Sequence, residues 1–295
     1  MATPSKKRDV EEMDVQSDED EDDLDDYSSS EEEDEDGIAD EDVQVDFEAV
    51  PPTDADANGI RTLLSQLFLK ANINLGQLAD TIISQNYVGC VLKQCEVEED
   101  ESDDGIDEDP IFGVTTVINL TDKKNLESVK QLKAMLLMQC EKWAADKLPV
   151  FNQILLDTCE KQIGFLISER FINMPSSVAV PLYESLSKDL QSEKVNKMNY
   201  KFDQFILISK TCRPRIEGSK ERPIDENEIT YLNLEEQVLL ENASHYFTYS
   251  VAKERDTLVD GKWIEEDYES LRTVLLFDAK KTTQIIEDMK EFLGK

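Results

Sequence analysis

A single histidine, His245, must serve in any Ser-His-Asp or Cys-His device that this chain of 295 residues could build. It stands beside Tyr246 and Phe247 in an aromatic, strand-like run, where a satisfied and partly buried histidine is the expected outcome. The five cysteines, Cys90, Cys95, Cys140, Cys159 and Cys212, form no Cys-x-x-Cys pair, so no zinc set emerges from their spacing. The ten glycines are equally informative, because no two lie closer than eight positions. A P-loop needs two glycines five apart and a dinucleotide fingerprint needs a pair two apart, since the backbone must approach the phosphates closely. The same spacing lacks the small-residue turn that acetyl-CoA-dependent acyltransferases place against a pyrophosphate. Setting Gly105 at the sixth position of a calcium loop puts Ile111 at the twelfth, where a bidentate Glu is required. Paired carboxylates for acid–base work are too abundant to point anywhere. These residues predict a chain without catalytic centre, cofactor or metal.

What the chain has in excess is negative charge. Between Asp9 and Glu48 there are 23 Asp and Glu and no Lys or Arg. Residues 96–109 add 10 acids and no base, out of a formal net charge of −35. The remainder beyond residue 58 holds 31 acids against 28 bases, an ordinary near-neutral protein with two acidic appendages. A segment so charged and so poor in apolar residues cannot offset the entropy of ordering, so residues 1–57 are expected to be a disordered tail. Its field would attract a basic macromolecule and repel nucleic acid and anionic membrane. The alternative is a solubilising tail without a dedicated partner. The insertion is the better candidate for a fixed contact, through Glu98, Glu99, Asp100, Glu101, Asp103, Asp104, Asp107, Glu108 and Asp109, because strands are expected at both its ends. Ser17, Ser28, Ser29 and Ser30 precede acidic runs and suit acid-directed kinases, whose phosphates would deepen the same field. Lys6, Lys7 and Arg8 form a short basic cluster compatible with nuclear import. No apolar run approaches a membrane span, and the cysteines read as reduced thiols of a soluble intracellular protein.

The elements that must position these residues begin near Asn58. Asn58–Lys70 and Asn74–Gln85 carry apolar residues at helical spacing, the second behind an Asn cap. Tyr87–Val97 and Ile111–Leu120 read as two strands of a hairpin interrupted by the acidic insertion, 96–110. A helix capped by Thr121 or Asp122 follows, and then a helix over Lys147–Lys161. Gln162–Asn173 reads equally as helix or strand. Val180–Gln191 predicts a helix, and Phe202–Cys212 a buried strand. The basic concentration Lys210, Arg213, Arg215, Lys220 and Arg222 predicts an exposed polar loop over 210–223, with contact to phosphate, to an acidic partner or to the tail itself as the alternatives. Short elements lead to strands at His245–Ala252 and Arg272–Phe277 and a helix at Lys280–Leu293. The alternation predicts a single α/β domain over 58–295, a mixed sheet flanked by helices. Leu63, Leu64, Leu67 and Leu69 have the spacing of an export signal, although the same stripe suits a core.

Several strings together resemble the BCCIP family of eukaryotic nuclear proteins: NLGQLADTIISQNYVGCVLKQ from Asn74, FGVTTVINLT from Phe112, GFLISERFINMP from Gly164 and ILISK from Ile206. The likeness is drawn most to the fungal-type nuclear-export members. It implies a sheet similar to the acetyltransferase-like (GNAT) fold without the enzyme activity. It also implies a nuclear protein, shuttling to the cytoplasm, that escorts a basic large-subunit ribosomal protein in ribosome biogenesis. Nuclear transport factors and a phosphoinositide kinase are further partners implied by the resemblance. An export adaptor for that kinase and a working acyltransferase are the rival readings.

Overall fold

The computed structural model describes residues 46–95, 110–156, 158–192, 200–215, 222–252 and 267–294. Chain order is β1 (Phe47–Val50), α1 (Ala57–Phe68), α2 (Leu75–Ser84), β2 (Cys90–Gln94) and β3 (Ile111–Asn119). Then come α3 (Glu127–Trp143), α4 (Leu148–Leu155), β4 (Ile163–Arg170), α5 (Ala179–Gln191) and β5 (Gln204–Pro214). The chain ends with β6 (Thr230–Tyr231), α6 (Glu236–Asn242), β7 (His245–Ser250), β8 (Tyr268–Asp278) and α7 (Thr282–Leu293). The eight strands make one open sheet in the order β1-β2-β3-β4-β5-β8-β7, with β6 paired to β5 off that path. Every neighbouring pair is antiparallel except β4–β5. The expected mixed α/β architecture is the one observed.

Alternation along the central strands explains the two helical layers. Phe165, Ile167, Ile206 and Ile208 face a core shared with α1, α2, α3 and α4. Leu166, Phe205, Leu207, Leu275 and Phe277 face the opposite core, shared with α5, α6 and α7. A strand covered on both faces needs apolar residues at successive positions, so its two-residue period disappears. That resolves Gln162–Asn173: all eight residues of β4 are buried. Asn74 caps α2 as anticipated, its side chain accepting from the Gln77 N–H at 3.0 Å. The leucines with export-signal spacing belong to the core, with Leu63 and Leu64 at 0 % exposure and Leu67 at 3 %. Arg272 of β8 closes the end of α1 by donating to the carbonyls of Leu67 (2.9 Å) and Gln66 (2.7 Å). Among the described residues no helix is long and apolar enough to cross a membrane.

Helix α4, expected to run to Lys161, ends at Leu155, where the backbone of Leu156 turns extended, and three further boundaries differ from expectation. Strand β1 lies inside the segment assigned to the tail, pairing Phe47 with Gln94 and Val50 with Val91. Its two half-buried side chains, together with the ladder, hold it in the sheet, although only four residues are involved. Helix α3 starts at Glu127 rather than behind Thr121 or Asp122. Asn119 draws those two residues into a turn, its side-chain oxygen accepting from the backbone N–H of Thr121 (3.0 Å) and Asp122 (2.9 Å). The third is the basic stretch. Lys210 and Arg213 are not in a loop but in β5, and both are buried.

Candidate functional site

Burying a lysine and an arginine requires partners, and the geometry supplies them. Lys210 Nζ lies 2.7 Å from Glu169 Oε2 on β4. The Arg213 guanidinium meets Glu269 of β8 at 2.8 and 2.9 Å and donates to the carbonyls of Pro223 (2.7 Å) and Arg222 (3.1 Å). Arg222 in turn pairs with Glu228 and donates to the Pro214 carbonyl at 2.8 Å. The basic concentration is therefore largely internal wiring, not a free phosphate-binding loop. Arg215 is exposed, and Lys220 lies outside the described residues.

The position of this wiring matters for chemistry. Parallel strands β4 and β5 pair only from Ile163–Gln204 to Leu166–Leu207, yet β4 runs on to Arg170 and β5 to Pro214. Where parallel strands part, unpaired backbone groups and a crevice become available to a ligand. Here β6 takes the vacated edge, pairing Tyr231 with Thr211 and Thr230 with Cys212, and Leu232 N–H donates to Lys210 O at 3.0 Å. Side chains complete the filling. Arg170 forks onto Glu235, with Nη2–Oε2 at 2.9 Å, Ser209 bonds Glu236, and Asn233 Nδ2 donates to Glu236 Oε1 at 2.9 Å. Three carboxylates, Glu169, Glu235 and Glu236, face two cations, Lys210 and Arg170. Burial first, and the neighbouring Glu235 second, raise the Glu236 carboxyl above the ordinary carboxylate range, which favours its neutral form in this crowded acidic cluster. This network has the burial and perturbed acidity of an active site, but its charged members are bonded to groups of the same cluster. Sequence reasoning missed it. The only hint was a Ser-Glu-Arg triplet ending the apolar run of β4.

The remaining nucleophile candidates are muted. Burial pushes the thiols of Cys90 and Cys140 up to about 11, and raises that of Cys212, so none forms a thiolate near neutral pH. His245 is exposed at the start of β7, against the expectation of partial burial, because its strand is the outer one of the sheet. Among the described residues no group of three or more His, Cys, Asp or Glu is placed to hold a metal ion.

The sequence-predicted contact and modification residues fall outside the described residues: Lys6, Lys7, Arg8, Ser17, Ser28, Ser29, Ser30 and the acidic insertion Glu98–Asp109. Their points of attachment are described. Cys95 N–H donates to Asp46 O at 2.8 Å, extending the β1–β2 ladder by one pair. The last residue before β1 and the last residue before the insertion are thus side by side. The insertion returns at Pro110, and Ile111 opens β3 opposite Lys93. Both acidic sequences, residues 1–45 with 21 acids and residues 96–109 with 10, are tethered at one corner of the sheet.

Comparison with known proteins agrees with the strings that carry the resemblance. A family model described as BCCIP matches residues 42–239. The chain belongs to the BCCIP family. A fruit-fly relative, Protein BCCIP homolog of Drosophila melanogaster, is 40% identical over 260 residues, 86% of each chain. Protein bcp1 of Aspergillus oryzae is 30% identical over 274 residues, covering 86% of this chain and 90% of its own. Identity is thus higher to this animal relative than to the fungal one, and neither name is that of an enzyme. The crystal structure of BCP1 from Saccharomyces cerevisiae superposes with a TM-score of 0.54 at 18% identity, over 88% of this chain and 93% of that one, which places the two in one fold. The family match begins at residue 42, close to β1, so the strand assigned to the tail lies within the matched region.

Proposed function

We propose that this BCCIP-family protein is a non-enzymatic nuclear carrier that shields a basic large-subunit ribosomal protein during ribosome biogenesis. One observation carries the reading. Among the described residues the buried cations Arg170, Lys210 and Arg213 are paired with carboxylates of the same domain, while 31 acids lie in two sequences tethered at one corner. A newly made ribosomal protein is dense in lysine and arginine and binds nucleic acid indiscriminately when free. A carrier of this kind neutralises that charge and gives way when ribosomal RNA, a denser array of phosphates, competes for the same side chains. The filled divergence between β4 and β5 favours this reading over an acyltransferase, because a cofactor entering there would first have to break buried ion pairs. The leucine spacing in α1 lends no support to an export adaptor, since those side chains are core. Shuttling and the phosphoinositide-kinase link therefore rest on the family resemblance alone.

The test is affinity capture with the full chain from nuclear extract at low salt, eluted by a sodium chloride gradient and identified by mass spectrometry. The expected result is enrichment of one basic large-subunit ribosomal protein that elutes with salt. Capture of no basic protein, or saturable micromolar binding of acetyl-CoA in a calorimetric titration, would overturn the proposal.

A further inference from the structure

The corner to which both acidic sequences are tethered also has an apolar surface of its own. Phe47 of β1, Phe112 of β3 and Phe171 just beyond β4 stack edge to face, with ring centroids 5.3 and 6.2 Å apart. All three are only half-buried. Phe171 N–H donates to Phe112 O at 3.0 Å, which fixes the turn that follows β4. The next residue, Ile172, is 67% exposed, the most open of the large hydrophobic side chains among the described residues. Beneath this ledge lies a small cluster of its own, made by Cys90, Leu92, Met174 and Leu182. Other exposed hydrophobics, such as Met138 of α3 and Phe292 of α7, belong to the helical layers and have no such aromatic base.

The sheet edge beside the ledge is open as well. In an antiparallel ladder, directly opposed residues alternate between bonded and non-bonded pairs. The Asp46–Cys95 pair is bonded, so Glu48 and Val50 point their backbone groups inward to β2. Phe47 and Ala49 therefore point theirs outward, and among the described residues no strand pairs with that side. An unpaired edge next to an apolar ledge is suited to strand addition, in which main-chain bonds give affinity and side-chain contacts give selectivity.

We infer that β1 and the Phe47–Phe112–Phe171–Ile172 ledge form the docking surface for an extended lysine- and arginine-rich segment of a partner protein that also carries apolar side chains. The inference rests on the carrier reading and adds to it a place and a mode of binding. Charge selects the occupant. The 21 acids of residues 1–45 and the 10 of residues 96–109 are tethered within a strand or two of the ledge. A second copy of this chain would bring the same charges to the same corner and be repelled, as would nucleic acid or an anionic membrane. A basic segment would be attracted, held by backbone bonds where it runs beside β1, and seated by its apolar residues where it continues across the ledge toward Ile172, beyond β4.

Two fluorescein-labelled peptides test this by anisotropy against the full chain: one alternating Lys and Val, the other alternating Lys and Gly with the same charge. The Lys-Val peptide is expected to bind about tenfold more tightly. Ile172→Ser removes the ledge's exposed side chain without changing charge. Ala49→Pro removes an outward N–H while sparing the inward ladder bonds of β1. Each is expected to erase most of the Lys-Val advantage with an unchanged unfolding midpoint, while Met138→Ser leaves it intact. Equal binding of the two peptides, or undiminished Lys-Val binding by both I172S and A49P, overturns the docking surface and leaves the carrier reading standing. Failure of both peptides to bind at low salt overturns the docking surface and the carrier reading together. A wild-type dimer in sedimentation velocity that I172S dissolves would give the face to a second copy and likewise overturn the inference.

Discussion

Lys210 and Arg213 show how a residue can mislead when read by type. Basic side chains close to a proline suggest a solvated loop, because lysine and arginine are rarely buried unless paired. The partners that bury them, Glu169 and Glu269, are 41 and 56 positions away in sequence, so nothing local announces the pairing. The same holds for Arg170 and Glu235, 65 positions apart. Both are almost fully buried, with side-chain exposures of 6% and 0%. Removing one member of such a pair leaves an uncompensated charge in a low-dielectric interior, whereas replacing both with apolar residues removes the desolvation penalty too. Arg170→Met is therefore expected to cost about 3–5 kcal/mol in urea unfolding, and Arg170→Met with Glu235→Leu to recover most of that loss. A double variant at least as unstable as the sum of the single ones would show that the pair contributes stability through contacts other than its charge. By contrast, the cofactor spacings missing from the glycines and the Asn74 cap were readable directly, since each depends on a few neighbouring residues.

At the level of elements, legibility followed the length of the periodic signal. Helices α1, α2, α5 and α7 stand within a few residues of their expected places because each carries several apolar residues at one period, and strands β3, β5 and β8 do so because each is a short apolar and β-branched run. Strand β4 had no period to show, being buried on both faces. Strand β1 had too few residues, and its acidic neighbours argued for tail. Its presence moves the edge of the domain. A chain lacking residues 2–45 is expected to unfold at the same urea midpoint as the full chain. A chain lacking residues 2–57, the boundary that charge alone suggests, also loses β1 and the buried Asp56 that pairs with Lys93 at 2.9 Å. That chain exposes the edge of β2 and part of the Phe112 ring, and its stability should fall by about 2 kcal/mol or more, from lost side-chain burial alone. Equal midpoints for the two truncated chains would mean that β1 contributes nothing to the domain.

Taken whole, the molecule separates two tasks that a carrier of basic proteins has to combine. Packing and strand pairing act only on contact, whereas charge acts over a distance that salt sets, about 10 Å at 0.1 M and 3 Å at 1 M ionic strength. A docking surface close to the attachment points of two acidic sequences can therefore capture quickly at low salt and still discriminate once contact is made. The two contributions are separable by removing residues 2–45, which carry 21 acids and 3 bases and precede β1. Truncation at residue 57, the boundary that charge suggests, would remove β1 and confuse charge with folding. For the basic ribosomal protein captured by the full chain, or the Lys-Val peptide in its place, the shortened protein is expected to bind about tenfold more weakly at 50 mM sodium chloride, equivalent to about 1.4 kcal/mol. At 500 mM the two proteins should bind alike, so the plot of log Kd against log salt becomes shallower, and most of the loss should appear as a slower association rate. An undiminished affinity and slope would assign the long acidic sequence to solubility and leave the insertion at 96–109 as the electrostatic element of the site. A loss that persists at 500 mM, with the unfolding midpoint intact, would instead mean that residues 2–45 make short-range contacts with the client.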